Sequence, residues 1–299
     1  MTEPSPSDGA DPAAVPYCFR HPDRESWIRC TRCDRPICPD CRTDAPVGFH
    51  CPECIQQSGR TVREGRTVAG GRIRRDPVRV TKILIAVNVA LYVMQYVSDG
   101  RVTQDFAMQG FAVADAGEYY RLVTAAFLHA SLTHLGLNML ALWLVGGAVE
   151  ARLGRSRYLT VYLVSALAGS VLSYAVDPAA QVSVGASGAV FGLFGAFAVM
   201  AFRLRIDVGG IIGIIAINVV IGFVPAFNIN WRAHLGGLLA GAVLTMVMVF
   251  TPQRARVWAT VVAAALIVAL CVGVTMWRTD HIQSCLNAEI PVEQCDVLF

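Results

Sequence analysis

The chain has 299 residues, of which 55% are apolar and 16% charged, and its formal net charge at pH 7 is +3. A mean hydropathy of +0.50 excludes a water-soluble fold over most of this length, because soluble domains carry about 25% charged residues. Seven of the ten cysteines lie within the first eighty positions, apart from the apolar runs. Two regions adapted to different solvents are therefore expected.

Residues 1–16 are acidic and rich in proline, serine and alanine. They have neither the basic start nor the apolar core of a secretory signal peptide. This composition is typical of a disordered tail.

Residues 17–55 carry four pairs of metal-ligand residues, each with two residues between its members. The pairs are Cys18/His21, Cys30/Cys33, Cys38/Cys41 and Cys51/Cys54, with His50 as an alternative to Cys51. Eight ligands at this spacing suit two tetrahedral zinc ions, without which so small a domain would have too little core to fold. A disulfide framework is the alternative, but it does not suit the reducing compartment predicted below.

The cysteine pattern resembles that of B-box and RING-related domains, in which alternate pairs share a metal. The resemblance implies one zinc ion held by Cys18, His21, Cys38 and Cys41, and a second held by Cys30, Cys33, Cys51 and Cys54. Such a domain suits an interaction with a cytoplasmic protein partner. Ubiquitin ligation is a further analogy, without separate support.

Several arginines with glycine make residues 56–79 a flexible linker. Nucleic-acid binding would be one reading of these arginines. Contact with anionic lipid next to a membrane span explains them better, so no nucleic acid is expected as a partner.

From residue 80 onward, seven apolar stretches have the length of about 20 residues that a helix needs to cross a bilayer. The sequence therefore predicts an all-α polytopic membrane protein preceded by a small zinc-stabilised domain. The stretches cover about 80–97, 124–148, 157–176, 185–202, 208–226, 232–250 and 257–277. Arginines and Lys82 cluster before the first stretch and after the second, fourth and sixth, which places the N-terminus in the cytoplasm and the C-terminus outside.

In this topology the second, fourth and sixth stretches run from outside to inside, and strongly polar residues begin each of them. The second begins with His129, His134 and Asn138, the fourth with Ser187 and the sixth with His234. Polar groups inside a membrane are costly and usually mark a functional cavity. The topology therefore predicts one site near the outer surface of the plasma membrane.

Ser187 and His234 have the chemistry of a nucleophile and its base. A serine hydroxyl needs an adjacent base, and small residues would let the two helices approach closely. Those small residues are Gly188, Gly192 and Ala196 on the fourth stretch and Gly237 and Gly241 on the sixth. Donors aimed at an oxyanion contribute several kcal/mol to a rate, and the candidates are His134, Asn138 and the backbone N–H of Ser187.

A plainer explanation exists for each residue alone, since a lone serine or histidine in a membrane helix usually serves packing. The conjunction at one depth favours catalysis, and Ser165, Ser170 and Ser173 lack such neighbours. Other intramembrane chemistries fit poorly. The sequence has no His-Glu-x-x-His zinc motif, and aspartates such as Asp177 lie at the edges of the stretches rather than within them.

Residues 80–250 resemble the rhomboid family of intramembrane serine proteases. The resemblance rests on Gly185-Ala-Ser187-Gly188, on Ala233-His234-Leu-Gly-Gly237, and on the spacing of His129, His134 and Asn138. Tyr120-Arg121 and Glu150-x-Arg152 are similar to structural features of the family. Phe191 stands where the family has an aromatic ring that stacks on the catalytic histidine.

The resemblance implies a Ser187–His234 dyad without a third carboxylate, supported by Gly185, His129, His134 and Asn138, and needing no cofactor for catalysis. It also implies substrates that are transmembrane helices, cleaved near their outer ends where they unwind. The loop 227–231 would cap the site, and the fifth span would gate it. The alternative is a non-catalytic rhomboid-like protein that binds membrane clients as an adaptor.

The C-terminal region adds an extra span, 251–277, and an extracytoplasmic tail, 278–299, to the six-helix core. Cys285 and Cys295 in this tail would pair in a disulfide or link two chains. The preference for arginine over lysine and the abundance of alanine are typical of a GC-rich bacterial genome.

Overall fold

The computed structural model describes residues 15–61, 67, 69–71, 76–205, 209, 210, 213 and 230–288. The chain divides into two compact units, Met1–Glu64 and Gly65–Phe299.

The first unit is a small domain in which cysteines replace a conventional hydrophobic core. Its strands are β1 (Tyr17–Cys18), β2 (His21–Glu25), β3 (Thr43–Asp44) and β4 (Phe49–His50), followed by helix α1 (Pro52–Thr61). β1 pairs with β2 and β3 with β4, both antiparallel. The buried apolar cluster consists of Ile37 and six of the paired cysteines.

The second unit is a bundle of helices joined by short strands and turns. Its elements in chain order are α2 (Arg79–Val97), α3 (Arg101–Phe106), β5 (Met108–Gln109), α4 (Gly110–Ala114), α5 (Arg121–Thr124), α6 (Leu132–Ala141), α7 (Gly147–Leu153), α8 (Arg155–Val176), β6 (Val182–Ser183), α9 (Ser187–Leu204), α10 (Trp231–Phe250) and α11 (Arg256–Asn287). A π-helical turn, Leu142–Gly146, joins α6 to α7, so that Leu132–Leu153 forms one continuous helix.

Six helices of this unit are long and apolar enough to cross a membrane: α2, the helix Leu132–Leu153, α8, α9, α10 and α11. The predicted polytopic helical class is thereby confirmed. The predicted fifth span, 208–226, lies almost wholly outside the described residues, as does most of the predicted cap, 227–231.

One predicted boundary is wrong, and one helix is longer than the span predicted in it. The second span does not begin at 124, because Leu128 is extended and the spanning helix starts only after the Ser131 N-cap, whose hydroxyl accepts the His134 N–H at 3.1 Å. The helix that contains the predicted last span, 251–277, begins at Arg256 and continues to Asn287, so it extends beyond that span. Hydropathy reports where apolar residues end, whereas caps and polar contacts set where a helix ends.

The centre of the bundle is a close contact between α9 and α10. A Cβ added to Gly237 would lie 1.9 Å from the Gly188 carbonyl oxygen, and one added to Gly241 would lie 2.1 Å from that of Gly192. Real side chains do not tolerate such distances. The small residues therefore bring the two helices together as the sequence predicts.

The Glu150-x-Arg152 motif anchors the first membrane helix. The buried Glu150 carboxylate accepts the backbone N–H groups of Val80 and Thr81 at 2.9 and 2.8 Å, and the Thr81 hydroxyl at 2.8 Å. These N–H groups have no partner within a helix. Glu150 thus fixes the start of α2 against the end of α7.

Candidate active site

Ser187 lies at the first position of α9 and is half-buried. The preceding turn needs a glycine at 185, because its φ of 143° is one that other residues rarely adopt. The Gly185 N–H donates to the Ala125 carbonyl at 2.9 Å, which ties the turn to the segment before Leu132–Leu153. Strand β6, which leads into this turn, is held by its pairing with β5.

His234 lies in the first turn of α10 and is 8% exposed. Its ring stacks on Phe191, with ring centroids 4.1 Å apart and planes 8° from parallel. Phe191 is one helical turn beyond Ser187, and a Cβ on Gly188 would lie 3.3 Å from the Ala233 carbonyl. The neighbours of Ser187 therefore pack directly on the neighbours of His234.

No hydrogen bond joins Ser187 to His234 among the contacts of the described residues. Substrate-free active sites often hold nucleophile and base in a looser arrangement that tightens when substrate binds. The stacking contact fixes the plane of the His234 ring, in place of the carboxylate that orients histidine in a triad.

His134 lies next to Gly185, in the turn that precedes Ser187. A Cβ on Gly185 would sit 3.1 Å from His134 Nε2 and 3.5 Å from Ser187 Oγ, so both groups border the same small space. His134 Nδ1 accepts the Ala130 N–H at 3.5 Å. In a neutral imidazole this leaves the proton on Nε2, the ring nitrogen that borders this space.

Asn138 and His129 both contact His134. Asn138 is buried and its amide donates to the His134 carbonyl at 2.9 Å, which leaves a second N–H on the same nitrogen. The His129 ring contacts that of His134 edge to face at a centroid distance of 5.3 Å. Gln95 fixes the His129 backbone, because it accepts the His129 N–H at 2.9 Å and donates to the His129 carbonyl at 3.2 Å.

A polar cluster around Asp177 lies beside the start of α10. Asp177 is 3% exposed and accepts from Arg232 at 2.8 Å and from Asn230 and Ser173 at 2.6 and 2.5 Å. The side-chain partners of Ser173 are thus Asp177 and Asn230. An asparagine directly before an apolar helix is an N-cap signal, and it would have identified Asn230 from the sequence.

The first unit brings the paired cysteines and histidine into two clusters, Cys18/His21/Cys38/Cys41 and Cys30/Cys33/Cys51/Cys54, whose ligand atoms lie within 4.8 Å of one another. A tetrahedral zinc ion needs S···S edges of about 3.8 Å and S···N edges of about 3.5 Å. Cys33 Sγ lies 3.8 Å from Cys51 Sγ, and His21 Nδ1 lies 3.4 Å from Cys38 Sγ. The residues thus fit two zinc ions, with Cys51 and not its alternative His50 in the second cluster.

The thiols of these two clusters differ in pKa. Burial raises the pKa of Cys18, but the backbone N–H groups of Cys38 and Arg20 and the His21 ring lower it more, to about 6. Burial and the neighbouring thiols instead raise the pKa of Cys54 to about 12. A cation held by the second cluster would favour the Cys54 thiolate.

The predicted pairing of Cys285 with Cys295 involves a residue outside the described part of the chain. Cys285 is 8% exposed and lies in α11, two residues before its end.

Comparison with known proteins assigns the same region to one family. A family model described as "Rhomboid domain" matches residues 116–251. Rhomboid protease GluP of Bacillus subtilis is 34% identical over 202 residues, which cover 64% of this chain and 39% of GluP. YdcA of the same organism, also named for rhomboid proteases, is 39% identical over 143 residues, which cover 46% of this chain and 71% of YdcA. Rhomboid protease AarA of Providencia stuartii is 24% identical over 66% of this chain and 83% of AarA. The chain thus spans well under half the length of GluP.

Proposed function

The chain belongs to the rhomboid family, and on that premise we propose that it is an intramembrane serine endopeptidase with Ser187 as nucleophile and His234 as base. One observation carries the proposal: the first turns of α9 and α10 approach closely through Gly188 and Gly237, and the His234 ring stacks on Phe191, one turn beyond Ser187. A merely structural serine would need no such partner.

The reaction follows from the positions of these groups. Ser187 Oγ attacks the carbonyl carbon of the scissile peptide bond, and His234 takes the hydroxyl proton. The carbonyl oxygen then carries the negative charge, and its proposed donors are the His134 ring, the Asn138 amide and the Ser187 N–H at the start of α9. His234 returns the proton to the leaving amine, and a water molecule hydrolyses the acyl-enzyme with His234 again as base.

The substrates in this proposal are transmembrane helices of other membrane proteins. A helix within the bilayer has all its backbone groups hydrogen-bonded, so cleavage requires that it unwind near its outer end. Small and helix-destabilising residues at the cut make this unwinding easier. The arginine distribution further supports a site that opens to the outside and an N-terminus in the cytoplasm.

The zinc clusters have a structural part in the proposal. Cys18, His21, Cys38 and Cys41 would hold one ion, and Cys30, Cys33, Cys51 and Cys54 the other. Zinc supplies folding free energy to a domain with so small an apolar core. Recruitment of a cytoplasmic protein by this domain stays a prediction from the sequence.

Cleavage of a single-span substrate in proteoliposomes tests the proposal. We expect the Ser187→Ala and His234→Ala chains to lose at least about 10³-fold in rate, since neither proton transfer nor acylation remains. Ser170→Ala and His281→Ala are matched controls and should cleave at the wild-type rate. A wild-type chain that binds the substrate without cutting it would overturn the protease assignment in favour of the adaptor.

A further inference from the structure

Asp177 ends α8 within a buried cluster of polar side chains that the proposed chemistry does not use. Its Oδ1 accepts Arg232 Nη1 at 2.8 Å, and its Oδ2 accepts Ser173 Oγ and Asn230 Nδ2 at 2.5 and 2.6 Å. Only 3% of the side chain is exposed. A buried carboxylate is costly unless such donors surround it, so this geometry is specific rather than incidental.

Two of these donors belong to the start of the helix that carries His234. Asn230 is the N-cap of α10, and its Oδ1 accepts the Ala233 N–H at 3.1 Å while its Nδ2 donates to Asp177. Because both ends of the amide are engaged, its orientation is determined. Arg232, two residues before His234, makes a second contact between α10 and Asp177.

The same amide also contacts the segment that leads to the nucleophile. Asn230 Nδ2 lies 3.3 Å from Ser183 Oγ, in strand β6, four residues before Ser187. The cluster therefore connects α10, which carries His234, to the segment that leads to Ser187.

Asp177 itself is anchored to the last helix. One turn before it, the Tyr174 hydroxyl shares a hydrogen bond of 2.8 Å with Thr279 Oγ1 of α11, and Arg278 Nη2 lies 3.4 Å from the Asp177 carbonyl oxygen. These contacts hold the end of α8 in place. The carboxylate can thus act as a fixed point for α10.

We infer that Asp177 is a positioning residue of the active site, which sets the position and rotation of the first turn of α10 and thereby the place of His234 relative to Ser187. The inference rests on the proposed function. Where no carboxylate contacts the imidazole, the ring stays in place only if its helix does. A displacement of about 1 Å at a reacting group costs on the order of 10²-fold in rate.

A charge relocation tests this role in the full-length chain. Asp177→Asn removes the carboxylate, and the double variant Asp177→Asn/Asn230→Asp places a carboxylate and an amide opposite each other again. Asp280→Asn, at an exposed carboxylate near the outer end of α11, is the matched control. Two quantities are measured. One is the rate at which a serine-directed fluorophosphonate probe labels the chain, and the other is the rate of hydrogen exchange at the backbone amides of residues 231–237.

Asp177→Asn should slow labelling at least tenfold and speed exchange at the start of α10, and the double variant should restore most of both. Labelling and exchange like those of Asp280→Asn would overturn the inference, as would faster exchange with unchanged labelling. A wild-type chain that is not labelled at all would refute the proposed function. The exchange data would then still decide whether Asp177 holds the start of α10.

Discussion

Gly237→Ala should separate the two helices that carry Ser187 and His234. The added methyl carbon would lie 1.9 Å from the Gly188 carbonyl oxygen and 2.7 Å from its carbon. Ordinary contact begins at 3.4 Å, so α10 must move away from α9 by on the order of 1.5 Å. The atoms that the methyl group would meet belong to the backbone of α9, which cannot move aside as a flexible side chain can. A shift of that size between nucleophile and base costs about 10²-fold in rate.

The assay is the rate at which a fluorophosphonate probe labels the purified chain in detergent. Gly237→Ala should react about 100 times more slowly than the wild type, with its overpacked interface losing about 1–3 kcal/mol of stability. Gly273→Ala, on α11 with no described atom within 4 Å, is the control and should react normally. Wild-type labelling by a folded Gly237→Ala chain would refute the proposed role of this helix contact.

Three other perturbations test separate parts of the structure. Phe191→Leu removes the ring stacked on His234 and should slow labelling about tenfold, whereas Phe191→Tyr should stay within about threefold of the wild type. Glu150→Ala leaves the Val80 and Thr81 N–H groups unpaired and should lower the free energy of unfolding by about 3 kcal/mol in a detergent titration, more than Glu150→Gln does. Cys51→Ala should reduce bound zinc from about two ions per chain to about one by elemental analysis, whereas His50→Ala should leave it unchanged.

The sequence alone predicted the helical class because hydropathy and arginine placement are dictated by the bilayer. It also predicted the approach of α9 and α10, since small residues four apart have few other uses inside a membrane. The stacking of Phe191 on His234 was expected from the family resemblance. Its geometry came only with the structure.

Features set by individual hydrogen bonds were harder to predict. The break before Leu132 depends on the Ser131 cap and on Gln95, which holds the His129 backbone from a different helix. Asp177 was dismissed because it lies at the edge of an apolar stretch, and only the folded chain brings it to Asn230, 53 positions away. Patterns along a chain report burial, whereas contacts between distant polar residues depend on how the helices pack.

The measurement that tests the central claim most directly is the site of fluorophosphonate labelling, located by mass spectrometry on the full-length chain. It requires no knowledge of a substrate, because the probe reacts with a serine only when a base activates it. The wild type should carry one adduct on the peptide that contains Ser187, and the Ser187→Ala and His234→Ala chains should carry none. An unlabelled wild type, or an adduct that persists in Ser187→Ala, would contradict the account.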